Sequence, residues 1–262
     1  MDEILPRILL FDSGVGGLSI YHELKKQLPD SEYHYYADHE AAPYGNKKDE
    51  WLNSRLLSTI HSLNQNINPS IIVIACNTAS TLSLTRLREK IETPIIGVVP
   101  AIKVAAQYKT DSPVGLLATP ATINRNYTDT LIDTFIDNQT TIKVGSTELV
   151  YMAEEKLNNQ KVDLSVLKSI VSPFLKSKCQ HVVLGCTHFP LLREELEKIA
   201  PSIHWIDSGE AIAKRTLSLV DTYAIEPTQK NSTFYSSSSL EGELPKYLSS
   251  IGFEKVHMNH KV

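Results

Sequence analysis

Cys76 and Cys186 stand in settings that could do chemistry. Each ends a β-branched apolar run, IIVIACNTAS over 71–80 and HVVLGCTHFP over 181–190. In both, a small residue precedes the cysteine and hydroxyl or amide groups follow it. A near-continuous Val/Ile run reads as a parallel strand buried on both faces. Small polar residues behind such a run suit the handover to a helix N-terminus. Both thiols are therefore predicted at the carboxyl ends of strands, where open α/β sheets bind ligands. A thiol at a helix N-terminus drops from about 8.5 toward roughly 3.5–7.5, so this placement predicts thiolate at neutral pH. Free cysteine often packs as a small buried hydrophobe. The polar surroundings of these two argue against that role, whereas Cys179 lacks such a setting and reads as structural.

His188 follows Cys186 by two residues. A histidine there can be a packed core residue, a metal ligand or a proton shuttle for the thiol. The metal reading lacks a second pair of ligands at zinc spacing. Asp12 and one of Glu154 or Glu155 are the carboxylates that could orient or balance such a group, although spacing alone puts the glutamates on a solvated helix face. Two thiols facing one site suit inversion at carbon. One base removes the proton from one face, an acid delivers a proton to the other, and the roles swap in reverse.

The elements that must hold these groups alternate. Ile8–Phe11 reads as a strand, Asp12–Gly17 as a glycine-rich turn, and Leu18, Tyr21, Leu24 and Leu28 as one helix face. Ser19 replaces the third glycine of a dinucleotide fingerprint, and the P-loop Lys-Ser/Thr ending is missing. The turn's amides could still cradle a carboxylate. Tyr33–Ala37 is a second strand and Asp38–Gly45 a loop, where Pro43-Tyr44-Gly45 is turn chemistry that holds a tyrosine hydroxyl within reach of a ligand. Further helices are predicted around Leu52–Leu63, Leu84–Ile91, Tyr127–Phe135, Leu149–Leu157, Leu164–Leu175 and Leu192–Ile199, and one opening at Pro100. Strands fall at Pro94–Val99, Val114–Ala118, Thr141–Val144 and His204–Ile206, with Thr119–Thr122 a hydroxyl-bearing turn. Asp207-Ser208-Gly209 repeats the Asp12-Ser13-Gly14 tripeptide, so a DSG turn and a strand–Cys turn each occur twice. The repetition predicts two related α/β halves facing each other, with parallel sheets throughout. Ser236–Ser239 reads as an exposed loop, and 244–262 as a helix and an edge strand returning to the first half.

The chain's 262 residues suffice for one large or two modest domains. Hydrophobic content of 42% and charged content of 21% are those of a globular enzyme. A net charge of -4 offers no basic footprint for nucleic acid. No apolar run approaches the roughly 20 residues needed to span a bilayer. The opening MDEILPRILLFD has no basic n-region leading into an h-region, so no secretion signal is expected. Three cysteines make no disulfide framework, and a reducing cytoplasm would keep the thiols available.

With these residues in view, the chain resembles the glutamate racemases of the cofactor-independent aspartate/glutamate racemase superfamily. The matching segments are FDSGVGGLS (11–19), APYG (42–45), ACNTAS (75–80), GVVPA (97–101), LLATPATI (116–123), LGCTHFP (184–190) and DSG (207–209), in family order over nearly the whole chain. The resemblance implies interconversion of L- and D-glutamate, a supply of D-glutamate for peptidoglycan, and no pyridoxal phosphate, metal or nucleotide. By motif position it makes Cys76 the thiol acting on D-glutamate and Cys186 the thiol acting on L-glutamate. Asp12, His188 and Glu154 assist. Asp12, Ser13, Pro43, Tyr44, Gly45, Asn77, Thr78, Thr187 and His188 hold the amino acid, with Thr119 and Thr122 in support. Such short polar groups could bind carboxylates without a buried arginine.

Where the family carries a Cys-Pro-Leu type segment before its helper glutamate, this chain reads Ser146-Thr147-Glu148, which leaves Glu148 and Glu155 beside Glu154 as candidates. The implied fold is α/β, two pseudo-symmetric parallel-sheet domains with the active site between them. Their expected bounds are 1–98 with 208–262, and 99–207. Many family members are homodimers of differing arrangement, so a homodimer is allowed without a set mode. An aspartate racemase, a cysteine hydrolase using Cys186 and His188, and a non-catalytic binding protein are the competing readings.

Overall fold

Strands rich in Val, Ile and Leu on both faces are stable only between layers of helix, and such strands form the centres of two sheets. The computed structural model describes residues 6–108, 111–136, 140–220 and 231–262. The first stretch alternates β1 (Arg7–Asp12), α1 (Leu18–Gln27), β2 (Glu32–Ala37), α2 (Asp49–Ile67), β3 (Ile71–Ile74), α3 (Asn77–Lys90) and β4 (Ile95–Gly97). The middle continues with α4 (Ile102–Ala105), β5 (Val114–Ala118), α5 (Pro120–Ile123), α6 (Asn126–Phe135), β6 (Thr141–Gly145), α7 (Glu148–Leu157), α8 (Leu164–Lys176), β7 (His181–Gly185), α9 (Arg193–Ile199) and β8 (His204–Ile206). Then come α10 (Gly209–Val220), β9 (Thr233–Ser236), α11 (Leu244–Ser250) and β10 (Lys255–His257). The strand expected over 94–99 is trimmed by its flanking prolines, and the helix after Pro100 is a single turn.

Two sheets result, ordered β10-β9-β2-β1-β3-β4 and β6-β5-β7-β8, with every pairing parallel. The run β2-β1-β3-β4 is repeated as β6-β5-β7-β8, so β3 and β7 correspond. Those are the strands that lead into Cys76 and Cys186. The two DSG tripeptides do not correspond: one follows β1, the other follows β8, the counterpart of β4. Their recurrence is therefore a shared local turn, in which Gly14 N–H donates to Asp12 Oδ1 at 2.8 Å and Gly209 N–H to Asp207 Oδ1 at 2.7 Å, and not a trace of the repeat.

The tail rejoins the first sheet. Ile212 and Ala213 of α10 sit in one core cluster with Leu18, Tyr21 and Leu24 of α1, while β9 and β10 extend the sheet beyond β2. The exposed loop predicted from composition over Ser236–Ser239 holds at Ser239, with Ser238 half-buried, but not at its start. Ser236 ends β9 and, like Ser237, is buried. Their hydroxyls meet His39 Nδ1 and Glu40 N–H, supplying the hydrogen bonds that a buried turn otherwise lacks. No helix among the described residues is long and apolar enough to cross a membrane.

Candidate active site

Cys76 lies in the extended residue between β3 and α3, its side chain only 6% exposed. Its sulfur is 3.7 Å from Ser13 Oγ. Burial, then the neighbouring Asp12 carboxylate, push the thiol well above its ordinary range; the Ala79 N–H and the Ser13 hydroxyl pull the other way and lose. The expectation of thiolate in the free protein is thus overturned for Cys76. Its helix N-terminus is real, but desolvation outweighs it. Next along α3, Thr78 Oγ1 meets Thr119 Oγ1 at 3.1 Å and Thr122 Oγ1 at 3.2 Å, a contact from the first sheet's helix to the turn behind β5. Thr119 caps α5 by accepting from Thr122 N–H. Asn77 Nδ2 is buried without a hydrogen-bond partner among the described residues, a donor aimed at nothing in the protein.

Cys186 follows β7 and is 7% exposed. A 3₁₀ turn over Phe189–Leu192, with Pro190 in its first turn, separates it from α9, so this thiol has no α-helix N-terminus. A histidine line takes that place. Cys186 Sγ lies 3.9 Å from His188 Nδ1, and His188 Nε2 is 2.8 Å from Glu154 Oε1 on α7. Burial works against charge on His188, yet Cys186 and Glu154 hold its pKa well above the ordinary histidine value. Burial likewise works against Glu154, but the two histidines facing it, His188 and His39, hold it well below the usual carboxylate range. Glu154 is the glutamate brought to the site; Glu148 and Glu155 point to solvent. Its Oε1 also accepts from Val15 N–H at 2.9 Å, tying α7 to the glycine-rich turn.

That turn fits around the histidine because it lacks side chains. A Cβ on Gly14 would collide with Glu154 Oε1, and one on Gly16 with the ring of His188. Asp12 stands between the two thiols' surroundings, accepting from Gly14 N–H and, at 3.0 Å, from Thr187 Oγ1. Complete burial pushes its carboxyl up to about 6 against the pull of His188. Two hydroxyls brace the frame: Tyr35 donates to Gly14 C=O and Ser19 to Thr187 C=O, each at 2.8 Å.

The remaining predicted residues gather nearby. Tyr44 is buried, and its hydroxyl donates to buried Asp38 at 2.6 Å, with Arg55 clamping the same carboxylate. Gly45 faces Thr119, the nearest atom to its missing Cβ being 3.6 Å away. Ser13, Gly14, His39, Ala42, Pro43, Val150, Tyr151, Glu154 and His188 line a pocket of about 200 Å³. Hollows of about 560 and 520 Å³ open elsewhere; of the three, the smaller one is lined by the thiols' own neighbours, Ser13 beside Cys76 and His188 beside Cys186, and the chemistry is assigned to it. Sequence pattern marks none of His39, Tyr35, Ser19 or Asp38 as a site residue. Only their nearness to the DSG and APYG segments could have drawn attention to them. Cys179 packs in the second sheet's core, where burial raises its thiol.

Comparison with known proteins gives one answer. The family model described as Asp/Glu/Hydantoin racemase matches residues 8–216. A glutamate racemase of Photorhabdus laumondii is 52% identical over 218 residues, covering 82% of this chain and 76% of the relative. One from Vibrio vulnificus is 43% identical over 256 residues, 97% of each chain. Among solved structures, Escherichia coli glutamate racemase in complex with L-glutamate and the activator UDP-MurNAc-ala superposes with a TM-score of 0.92 at 42% identity, covering 97% of this chain and 98% of that one.

Proposed function

The chain belongs to the Asp/Glu/hydantoin racemase family, and we propose that it interconverts L- and D-glutamate by proton transfer between Cys76 and Cys186. One observation carries the two-thiol reading. The cysteines follow corresponding strands of two like sheets, and the residues just beyond them reach across to the opposite sheet: Thr78 to Thr119 and Thr122, Thr187 to Asp12. Such an arrangement presents one thiol to each face of a carbon held between them. One thiolate takes the α-proton, the opposite thiol returns one to the other face, and the pair ends in the complementary protonation state, ready for the reverse turnover.

The flanking groups fit these roles differently. His188, steadied by Glu154, keeps a cationic partner beside Cys186. Cys76 has Asp12 and Ser13 for neighbours, so its ionisation needs an opposite charge brought by the ligand, and an α-ammonium beside Asp12 supplies one. Asn77 Nδ2, the threonine hydroxyls and the amides of the DSG turn are donors suited to the substrate's carboxylates. Glutamate is favoured over aspartate by the likeness to glutamate racemases over almost the whole chain. In this reading the two halves are 1–98 with 208–262, and 99–207, and the enzyme supplies D-glutamate for peptidoglycan in the cytoplasm. Residues 1–5 and 221–230 of the first half lie outside the described residues.

The test is incubation of the wild type, Cys76→Ala and Cys186→Ala with L- or D-glutamate in deuterated buffer, without added cofactor and with aspartate alongside. Optical rotation should decay for glutamate as solvent deuterium enters Cα, and both variants should lose racemisation. Racemisation that survives loss of either thiol would sink the mechanism. Faster turnover of aspartate would reassign the substrate.

A further inference from the structure

Glu154 is held by more than the histidine beside Cys186. While Oε1 serves His188 and Val15, Oε2 lies 3.7 Å from Nε2 of His39. The other nitrogen of His39, Nδ1, is 2.9 Å from Ser236 Oγ, which also accepts from Ser238 N–H at 3.3 Å. The ring is thus fixed between a buried serine on β9 and a carboxylate on α7. A lone pair turned on a carboxylate is repulsive, so the stable states of His39 carry a proton on Nε2, either as the cation or as the neutral tautomer with Ser236 donating to Nδ1. The His188 side chain is 4% exposed, against 26% for Glu154 and 15% for His39, and all three line the pocket. Among the described residues no hydrogen bond or ion pair joins His39 to Cys76, Ser13 or Asp12.

We propose that His39 is a positioning residue for the Cys186 half of the reaction alone: by fixing Oε2 of Glu154 it fixes the orientation of His188, and through His188 the thiol that serves one enantiomer. The inference rests on the racemase reading above. It predicts an asymmetry that a general structural role would not produce.

Racemisation has an equilibrium constant of one, so kcat/KM must stay equal in the two directions for any variant. The one-sided defect has to be read in the isotope effect of deuterium at Cα. Slowing the Cys186 steps makes proton removal more rate-limiting for the enantiomer that Cys186 deprotonates, and its isotope effect on kcat/KM rises. For the other enantiomer, removal by Cys76 precedes a slowed delivery by Cys186, and its isotope effect falls. His39→Leu should lower kcat/KM by about two- to fivefold, the order expected for losing a partly exposed ion-pair contact. The two isotope effects should separate in opposite senses. His39→Gln, which returns a neutral N–H to the same place, should recover most of the rate and close the separation. Isotope effects in His39→Leu that stay unchanged or move together overturn the proposal while the wild type still racemises. A wild type that leaves glutamate unracemised defeats the underlying reading, and this proposal with it.

Discussion

Replacing Gly16 with alanine tests whether the glycine-rich turn exists to admit His188. The glycine's φ is not in the left-handed region, so alanine costs nothing in backbone conformation and the effect is steric. Its Cβ would collide with His188 Nδ1 and stand 2.7 Å from Cε1 and 2.8 Å from Cγ, where ordinary contact begins at 3.4 Å. The ring must therefore retreat by roughly 1 Å, since the backbone of the turn is pinned by Ser19 and Thr187. His188 is 3% exposed and has no room to swing out. A retreat of that size breaks the 2.8 Å contact with Glu154 or the 3.9 Å contact with Cys186. A misplacement near 1 Å in catalytic geometry costs on the order of a hundredfold, so kcat/KM should fall by about 30- to 100-fold. Thermal unfolding should register an overpacking cost of about 1–3 kcal/mol, well short of unfolding the protein. Gly209→Ala is the control: its Cβ would meet Glu23 Cγ at 2.7 Å, but Glu23 is a part-exposed side chain that pairs with Lys26. Racemisation followed by circular dichroism in both variants decides the matter. A folded Gly16→Ala protein with wild-type kcat/KM would refute the claim that the turn sets the position of His188.

Two further outcomes follow from burial. Asp12 has a folded-state pKa of about 6 against an ordinary value of 3.8, so the folded protein keeps a proton that the unfolded chain has lost between those values. The folded state binds more protons there, and stability must decline as pH rises from about 4 to about 6 and stay reduced above. Asp12→Asn should remove that decline, gaining up to about 3 kcal/mol at pH 7 in urea unfolding while losing activity; a decline as steep as the wild type's would exclude Asp12 as its source. Cys179→Ala should keep wild-type racemisation and lose about 1–2 kcal/mol of stability, because the sulfur packs in the core of the second sheet; lost turnover in a folded variant would contradict that placement.

Much of this was legible in the sequence because the physics acting on it is local. A strand buried on both faces announces itself by composition, and its end by the first small or polar residue, so Cys76 and Cys186 could be set at strand ends without knowing the strand order. The glycines at 14 and 16 were legible as a turn, but not as the space that His188 and Glu154 occupy, since that depends on α7 arriving from the other sheet. Ser236 misled for the same reason. A run of serines has the composition of a solvated loop, and only the insertion of β9 beside β2 makes its hydroxyls the buried partners of His39 and Glu40. The predicted thiolate failed because helix-terminus reasoning counts a dipole and omits desolvation. Glu154 could not be separated from Glu155 by spacing; adjacent helical residues differ by about 100° in direction, and only the packing of α7 says which faces the site.

The two thiols are equivalent by topology and unlike by chemistry, and the reaction requires no more symmetry than that. Mirror-image substrates need bases on opposite faces of one carbon, and in the proposed reading the residues after the corresponding strands β3 and β7 supply them. They do not need identical neighbours; each thiol has only to reach a proton affinity from which it can take a proton in one direction and deliver one in the other. Cys186 is steadied from within, by His188 and Glu154. Cys76 is raised by burial and by Asp12. An ammonium group bound beside Asp12 would lower both, so one base becomes competent only when there is something to deprotonate. In the DSG turn behind β1 the carboxylate accepts from buried Thr187, whereas in the DSG turn behind β8 it pairs with part-exposed Arg193. The local turn is the same, but only the first stands where a carboxylate can act on a thiol.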